Sequence, residues 1–74
     1  MVSNELYSVR KKRGIAVSEL ARRTGLSRMT ITNIEKNRVV PNIETAFLIA
    51  RELEVDINKI FFIHNVNHDL RLGG

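Results

Sequence analysis

Between Leu6 and Phe61 the apolar side chains recur three and four positions apart, the period of a helix, and the runs break at Gly14, Gly25, residues 37–41 and residues 54–56. The pattern predicts five helices. The first starts from Ser3 as N-cap and ends near Arg13, with Leu6, Val9 and Arg13 on one face and Gly14 as a left-handed stop. The second, residues 17–24, buries Val17, Leu20, Ala21 and Thr24 and stops at Gly25. Ser27 caps the third, residues 28–36, and Asn42, just after Pro41, caps the fourth, residues 43–53. In the fourth, Ile43, Ala46, Phe47, Ile49, Ala50 and Leu53 wrap so far round that the helix belongs at the centre of the core. Asp56 caps a short fifth helix, residues 57–61. Five helices joined by short turns make an all-α, compact domain, and nothing in the pattern requires a sheet.

The third helix has a thin apolar anchor. At about 100° per residue, Ile31 and Ile34 set its inward direction, and Met29, Thr32, Asn33 and Lys36 project the opposite way with Arg28 and Thr30 on the flanks. A merely solvated face favours Glu, Lys, Gln and Ala. Met, Thr and Asn serve that purpose poorly but can touch bases: Arg forks onto guanine, Asn onto adenine, and Thr or Met meets the thymine methyl. Glu35, the only acid on the helix, lies off this face. Ala21 is small where two helices would cross closely, and Gly25-Leu26 turns the second helix into the third. A helix, a glycine turn and a helix with a base-competent outer face make a helix-turn-helix, which points to double-stranded DNA as partner. The competing reading packs Met29 against another helix and leaves the remaining side chains as ordinary surface.

Charge bears on that choice. The net charge is +4 with a sequence pI near 10.1, and it is uneven. Residues 1–38 carry nine Lys/Arg against three Asp/Glu, and residues 39–74 carry three against five. A basic half suits a polyanion, though a surplus of this size also serves plain solubility. Seventy-four residues allow one core. The absence of cysteine excludes disulfides and thiolate metal sites. The longest apolar run, residues 46–50, falls far short of the roughly 20 residues of a membrane span. The N-terminal residues lack the basic-then-apolar pattern of a secretory signal. A cytoplasmic protein with no membrane partner is expected.

The stretch "SELARRTGLSRMTITNIEKNRVVPNIETAFLIARELEVDINKIF", residues 18–61, resembles the lambda-repressor-like family, the Cro and xenobiotic-response-element group of helix-turn-helix domains. The likeness rests on Glu-Leu-Ala in helix two, the Gly-Leu-Ser turn, Ile-x-x-Ile-Glu in helix three, the Pro-Asn-Ile-Glu lead into helix four, and the terminal Ile-Phe. The resemblance implies a homodimer on a palindromic operator, with helix three in the major groove. Carried over by position, it makes Arg28, Met29, Thr32 and Asn33 base-facing. It places phosphates against Val17, Lys36, Asn37, Arg38, Ile43 and Arg10, and pairs Arg10 with Glu35 to tie helix one to the end of helix three. Three positions depart from the family pattern. Ala16 and Val17 replace a hydroxyl cap and the glutamine that grips a phosphate, so only the Val17 amide is left to serve. Glu54 stands where glycine is usual, so it must take a left-handed conformation or let the turn relax. Asn37 also replaces a common glycine, and asparagine tolerates that conformation better than most residues.

Residues 1–62 are expected to form the DNA-binding domain and residues 63–74 a short C-terminal extended arm. Phe62 and Ile63 are left over once the core is filled; with Val66 they suit an edge strand that pairs with its equivalent in a second subunit. The competing expectation is a disordered tail. His64 and His68 have helical metal-pair spacing, yet only Asp69 could join them, so no metal site or cofactor is expected. There is no nucleophile–base arrangement and no glycine-rich phosphate loop, so no enzyme and no small-molecule ligand is expected. Two functions remain. One is a transcriptional regulator, a repressor that occludes a promoter. The other is an antitoxin or similar protein-interaction partner with secondary DNA binding, which a toxin-sized reading frame beside the gene would favour.

Overall fold

The apolar period resolves into four α-helices, not five. A computed structural model of the chain describes residues 2–63, in the order β1 (Val2–Asn4), α1 (Leu6–Lys12), α2 (Val17–Thr24), α3 (Arg28–Glu35), α4 (Ile43–Leu53), a single 3-10 turn (Ile57–Lys59) and β2 (Phe61–Ile63). Leu6, Leu20, Ile31, Ile34, Ile49, Leu53 and Ile60 are fully buried, one or two from each helix plus one from the turn before β2. Burying each is worth about 1.5–3 kcal/mol, so the core is assembled from long-range contacts and no helix stands alone. Ala21, Ala46 and Ala50 are also buried. No helix among the described residues is long and apolar enough to cross a membrane.

The strand at the N-terminus and the small sheet it forms were not anticipated. β1 and β2 pair antiparallel in the register Val2↔Ile63, Ser3↔Phe62, Asn4↔Phe61. Ser3 therefore lies in a strand, two residues before the N-cap position of α1. α1 starts after Glu5, whose side chain makes no cap bond, and the Leu6 amide donates instead to Asn4 Oδ1 at 2.9 Å. The expected fifth helix shrinks to one 3-10 turn without a side-chain cap from Asp56, because Phe61 is drawn into the ladder opposite Asn4. Ile63, expected to pair across a two-fold axis, pairs with Val2 of its own chain. Val66, His64, His68 and the rest of the expected arm lie outside the described residues.

The fourth helix also differs from expectation. Ala46, Ile49, Ala50 and Leu53 face the core, while Ile43 and Phe47, one turn apart, are 72% and 55% exposed. A helix covered on one side only can bury one stripe, and this one carries more apolar surface than that stripe. On the other helices Val17 and Thr24 are half-buried; on α1 the buried partner of Leu6 is Arg10, not the exposed Arg13.

Three helix ends share one geometry. At Gly14, Asn37 and Glu54, each with φ between 59° and 69°, the chain turns left-handed. There the next two amides reach back to the helix carbonyls: Gly14 N to Lys11 O and Ile15 N to Arg10 O; Asn37 N to Ile34 O and Arg38 N to Asn33 O; Glu54 N to Arg51 O and Val55 N to Ala50 O. This is the Schellman arrangement, made here with glycine, asparagine and glutamate in turn. Glu54 thus adopts the left-handed alternative, and Arg13 Nη2 donates to its carbonyl at 3.0 Å.

Candidate nucleic-acid interface

The turn between α2 and α3 is built by local chemistry. Gly25, at φ 79°, sends the chain left-handed while its amide still donates to Ala21 O. Thr24 Oγ1 donates to Leu20 O at 2.8 Å and accepts the Leu26 amide at 3.3 Å, spanning the turn. Ser27 Oγ then accepts the Thr30 amide at 3.0 Å and fixes the first turn of α3. At the other end of α2, Ala16 offers no side-chain cap, as its sequence implied.

With Ile31 and Ile34 buried, the opposite side of α3 is open. Arg28 is exposed, Met29 is 66% exposed, and Thr32 and Asn33 are half-buried. Met29 is therefore not core packing. Arg28, Met29 and Thr32 join Val17 and Ser27 around a shallow concavity, which brings the start of α2 against the outer face of α3. A cation, a thioether, a hydroxyl and an amide on one rod can present a donor fork, an apolar contact and a two-way hydrogen-bonding group to a grooved surface.

The loop after α3 supplies donors. Lys36, Asn37 and Arg38 are all exposed, and Arg38 Nη1 lies 3.4 Å from Asn33 Oδ1, a long contact that links the outer side of α3 to the loop. Asn42 Oδ1 caps α4 through the Thr45 amide at 2.8 Å, and exposed Ile43 opens that helix. The first amides of a helix lack intrahelical acceptors and favour anions, so the α4 start adds to the same donor set.

Arg10 belongs elsewhere. Its Nε donates to Glu35 Oε2 at 2.6 Å, its Nη2 to Glu35 Oε1 at 3.3 Å and its Nη1 to Ile15 O at 2.8 Å, with both side chains less than a tenth exposed. A guanidinium so enclosed has no face left for a phosphate, which corrects the expectation that Arg10 touches one. The expected Arg10–Glu35 tie between α1 and the end of α3 is present. It also removes the one acid of α3 from the outer surface.

Sequence reasoning missed two further features. Glu19 accepts from both Arg22 and Arg23, which hold its carboxyl down at about 2, with the Arg22 hydrogen bond the larger cause. Its i, i+3 and i, i+4 spacing was legible, and it offsets part of the basic surplus of residues 1–38. Asn4 donates from Nδ2 to Ile34 O at 2.8 Å and to Asn37 Oδ1 at 3.0 Å, joining β1 to the loop after α3. No local signal marks contacts thirty and thirty-three positions apart.

Residues 6–60 match the family model described as Helix-turn-helix, a span that takes in all four helices and the 3-10 turn. The chain belongs to the helix-turn-helix family of the Cro/C1 type. This helix-turn-helix chain is 37% identical over 60 residues to an uncharacterised HTH-type transcriptional regulator of Methanocaldococcus jannaschii, across 81% of this chain and 91% of that protein. A second such regulator, from Methanothermobacter thermautotrophicus, is 46% identical over 44 residues, or 60% of this chain and 64% of that one. A crystal structure of a Bacteroides fragilis protein, provisionally described as DNA-binding, superposes with a TM-score of 0.78 at 24% identity. It covers 84% of this helix-turn-helix chain and all of the other, and supports the fold alone.

Proposed function

We propose that this helix-turn-helix chain is a sequence-specific DNA-binding transcription regulator, a repressor that binds a palindromic operator as a homodimer with α3 in the major groove. The observation that carries the reading is the open face of α3, anchored by fully buried Ile31 and Ile34 and presenting Arg28, Met29, Thr32 and Asn33. These four read base edges: Arg28 as a guanine fork, Asn33 as an adenine clamp, Met29 and Thr32 as contacts for thymine methyls. The Val17 and Ile43 amides, with Lys36, Asn37 and Arg38, hold the phosphates to either side. Family membership and HTH-type regulator relatives support the reading, which involves binding without catalysis.

The dimer is supported by apolar surface beyond what one subunit buries. Val40, Ile43, Phe47 and Phe62 are exposed, and Val40, Ile43 and Phe62 border one groove beside the start of α4. A second copy on this groove would leave the outer face of α3 free in both subunits, since the two surfaces share no lining residue. In this reading Phe62 would serve dimerisation by bordering the groove, in place of an arm pairing across the axis.

Selection from a random duplex library tests the whole reading. The expected product is an inverted repeat with half-sites one helical turn apart, bound with a steep salt dependence. Enrichment of no sequence, or of an unrepeated site bound by one chain, overturns it.

A further inference from the structure

We infer that Asn4 is a positioning residue for DNA binding, setting the polarity of the Asn37 amide so that its –NH2 end, not its carbonyl, meets the phosphate. The inference rests on the reading that the loop at residues 36–38 faces the DNA backbone.

The polarity passes along three groups. The Leu6 amide can only donate, and it donates to Asn4 Oδ1 at 2.9 Å. That fixes which end of the Asn4 amide is oxygen, so its Nδ2 points the other way. Both Nδ2 protons are used, one on Ile34 O at 2.8 Å and one on Asn37 Oδ1 at 3.0 Å. Ile34 O, already accepting the Asn37 amide at 3.0 Å, has a second lone pair for Asn4. With its oxygen turned to Asn4, the exposed Asn37 presents Nδ2 outward, between exposed Lys36 and Arg38. Had the amide faced the other way, an acceptor would confront an anion.

The geometry depends on a distant support. Asn4 sits opposite Phe61 in the sheet, and the Glu5 amide donates to Ile60 O at 2.7 Å, so β2 and the turn before it fix where Asn4 stands. The left-handed φ of 59° at Asn37 holds its side chain toward Asn4, and glycine is the one replacement that keeps this backbone without strain.

A double-mutant cycle on a mixed-sequence DNA duplex, with the full chain, tests the inference. Asn4→Asp keeps the acceptor for Leu6 but replaces the donor with a second oxygen, which reverses the Asn37 amide. Asn37→Gly removes the amide and keeps the turn. Each single variant is expected to weaken binding about tenfold. In the Asn37→Gly background, Asn4→Asp should cost about twofold or less, the remainder being its added charge. An equal loss in both backgrounds overturns the positioning role and makes Asn4→Asp a general charge effect. Unchanged binding by Asn37→Gly overturns the reading of the loop, and the inference falls with it. If Asn4→Asp does not fold, as thermal melting would report, Asn4→Ser takes its place in the same cycle: its hydroxyl can still accept from Leu6 but is too short to reach Asn37.

Discussion

Arg10 of α1 and Glu35 of α3 are joined by two hydrogen bonds, 2.6 and 3.3 Å, in a nearly closed site. Desolvation makes such a pair worth little against an apolar pair of equal volume, but a lone survivor is expensive. Arg10→Ala should lower stability to urea by about 3–5 kcal/mol, whereas Arg10→Met with Glu35→Leu should recover most of the loss. A double variant as unstable as the single one would assign the pair a structural role that shape alone cannot fill.

Groove and backbone contacts should separate in binding assays. Asn33→Ala should cost about 1–3 kcal/mol on the selected operator and relax preference at one base pair. Arg38→Ala should weaken operator and random duplex alike and reduce the salt slope by about 1. Since Arg38 Nη1 lies 3.4 Å from Asn33 Oδ1, the two losses should not add fully. Identical behaviour of both variants on both duplexes would contradict the assignment.

Glu54 holds a left-handed conformation at φ 60° with an exposed side chain. Glycine there relieves the conformational cost and keeps the carbonyl that Arg13 binds. Glu54→Gly should stabilise the protein by about 1 kcal/mol, a rise of roughly 4–8 °C in melting temperature for a domain of this size.

The Glu19 carboxyl, lowered from 4.5 to about 2 by Arg22 and Arg23, makes a pH test with a definite sign. A depressed acid favours the folded state above its ordinary value of 4.5 and loses that contribution as pH falls through about 2. Carboxyl NMR should place its midpoint near 2, and Glu19→Gln should remove this part of the acid dependence. A midpoint near 4.5 would mean that the clamp does not persist in solution.

If the proposed dimer forms on this face, Ile43→Asp should reduce the mass measured by light scattering to that of a monomer while leaving the melting of the monomer fold intact. The position is 72% exposed and opens α4, where an acid favours the helix. An unchanged mass would overturn the proposed dimer contact on this face.

The boundaries of α2 and α4 and the caps at Ser27 and Asn42 could be read from the sequence because each rests on contacts within a few residues. So could the inward direction of α3, which Ile31 and Ile34 settle alone. What escaped depended on the whole chain. Three-residue strands carry no period, and Ser3 reads as a cap until Phe62 is found opposite it. Ile43 and Phe47 look like core because hydrophobicity does not say whether a helix has neighbours on one side or two. Within the candidate site, the outer face of α3 followed from spacing, and the Arg10–Glu35 tie came from the family resemblance. That the tie encloses Arg10 too tightly for a phosphate could be seen only with three acceptors around one guanidinium.

The pairing of β1 with β2 also sets an order of events during synthesis. Val2 must wait for Ile63, which leaves the ribosome roughly sixty residues later. The four helices can collapse in the meantime, but Asn4 is not fixed beside Asn37 until β2 emerges. A nascent chain stalled before Phe61 would carry the whole of α3 with Asn4 not yet held in its ladder, so the bond from Asn4 to Asn37 is made late and at a stroke, not gradually along the chain.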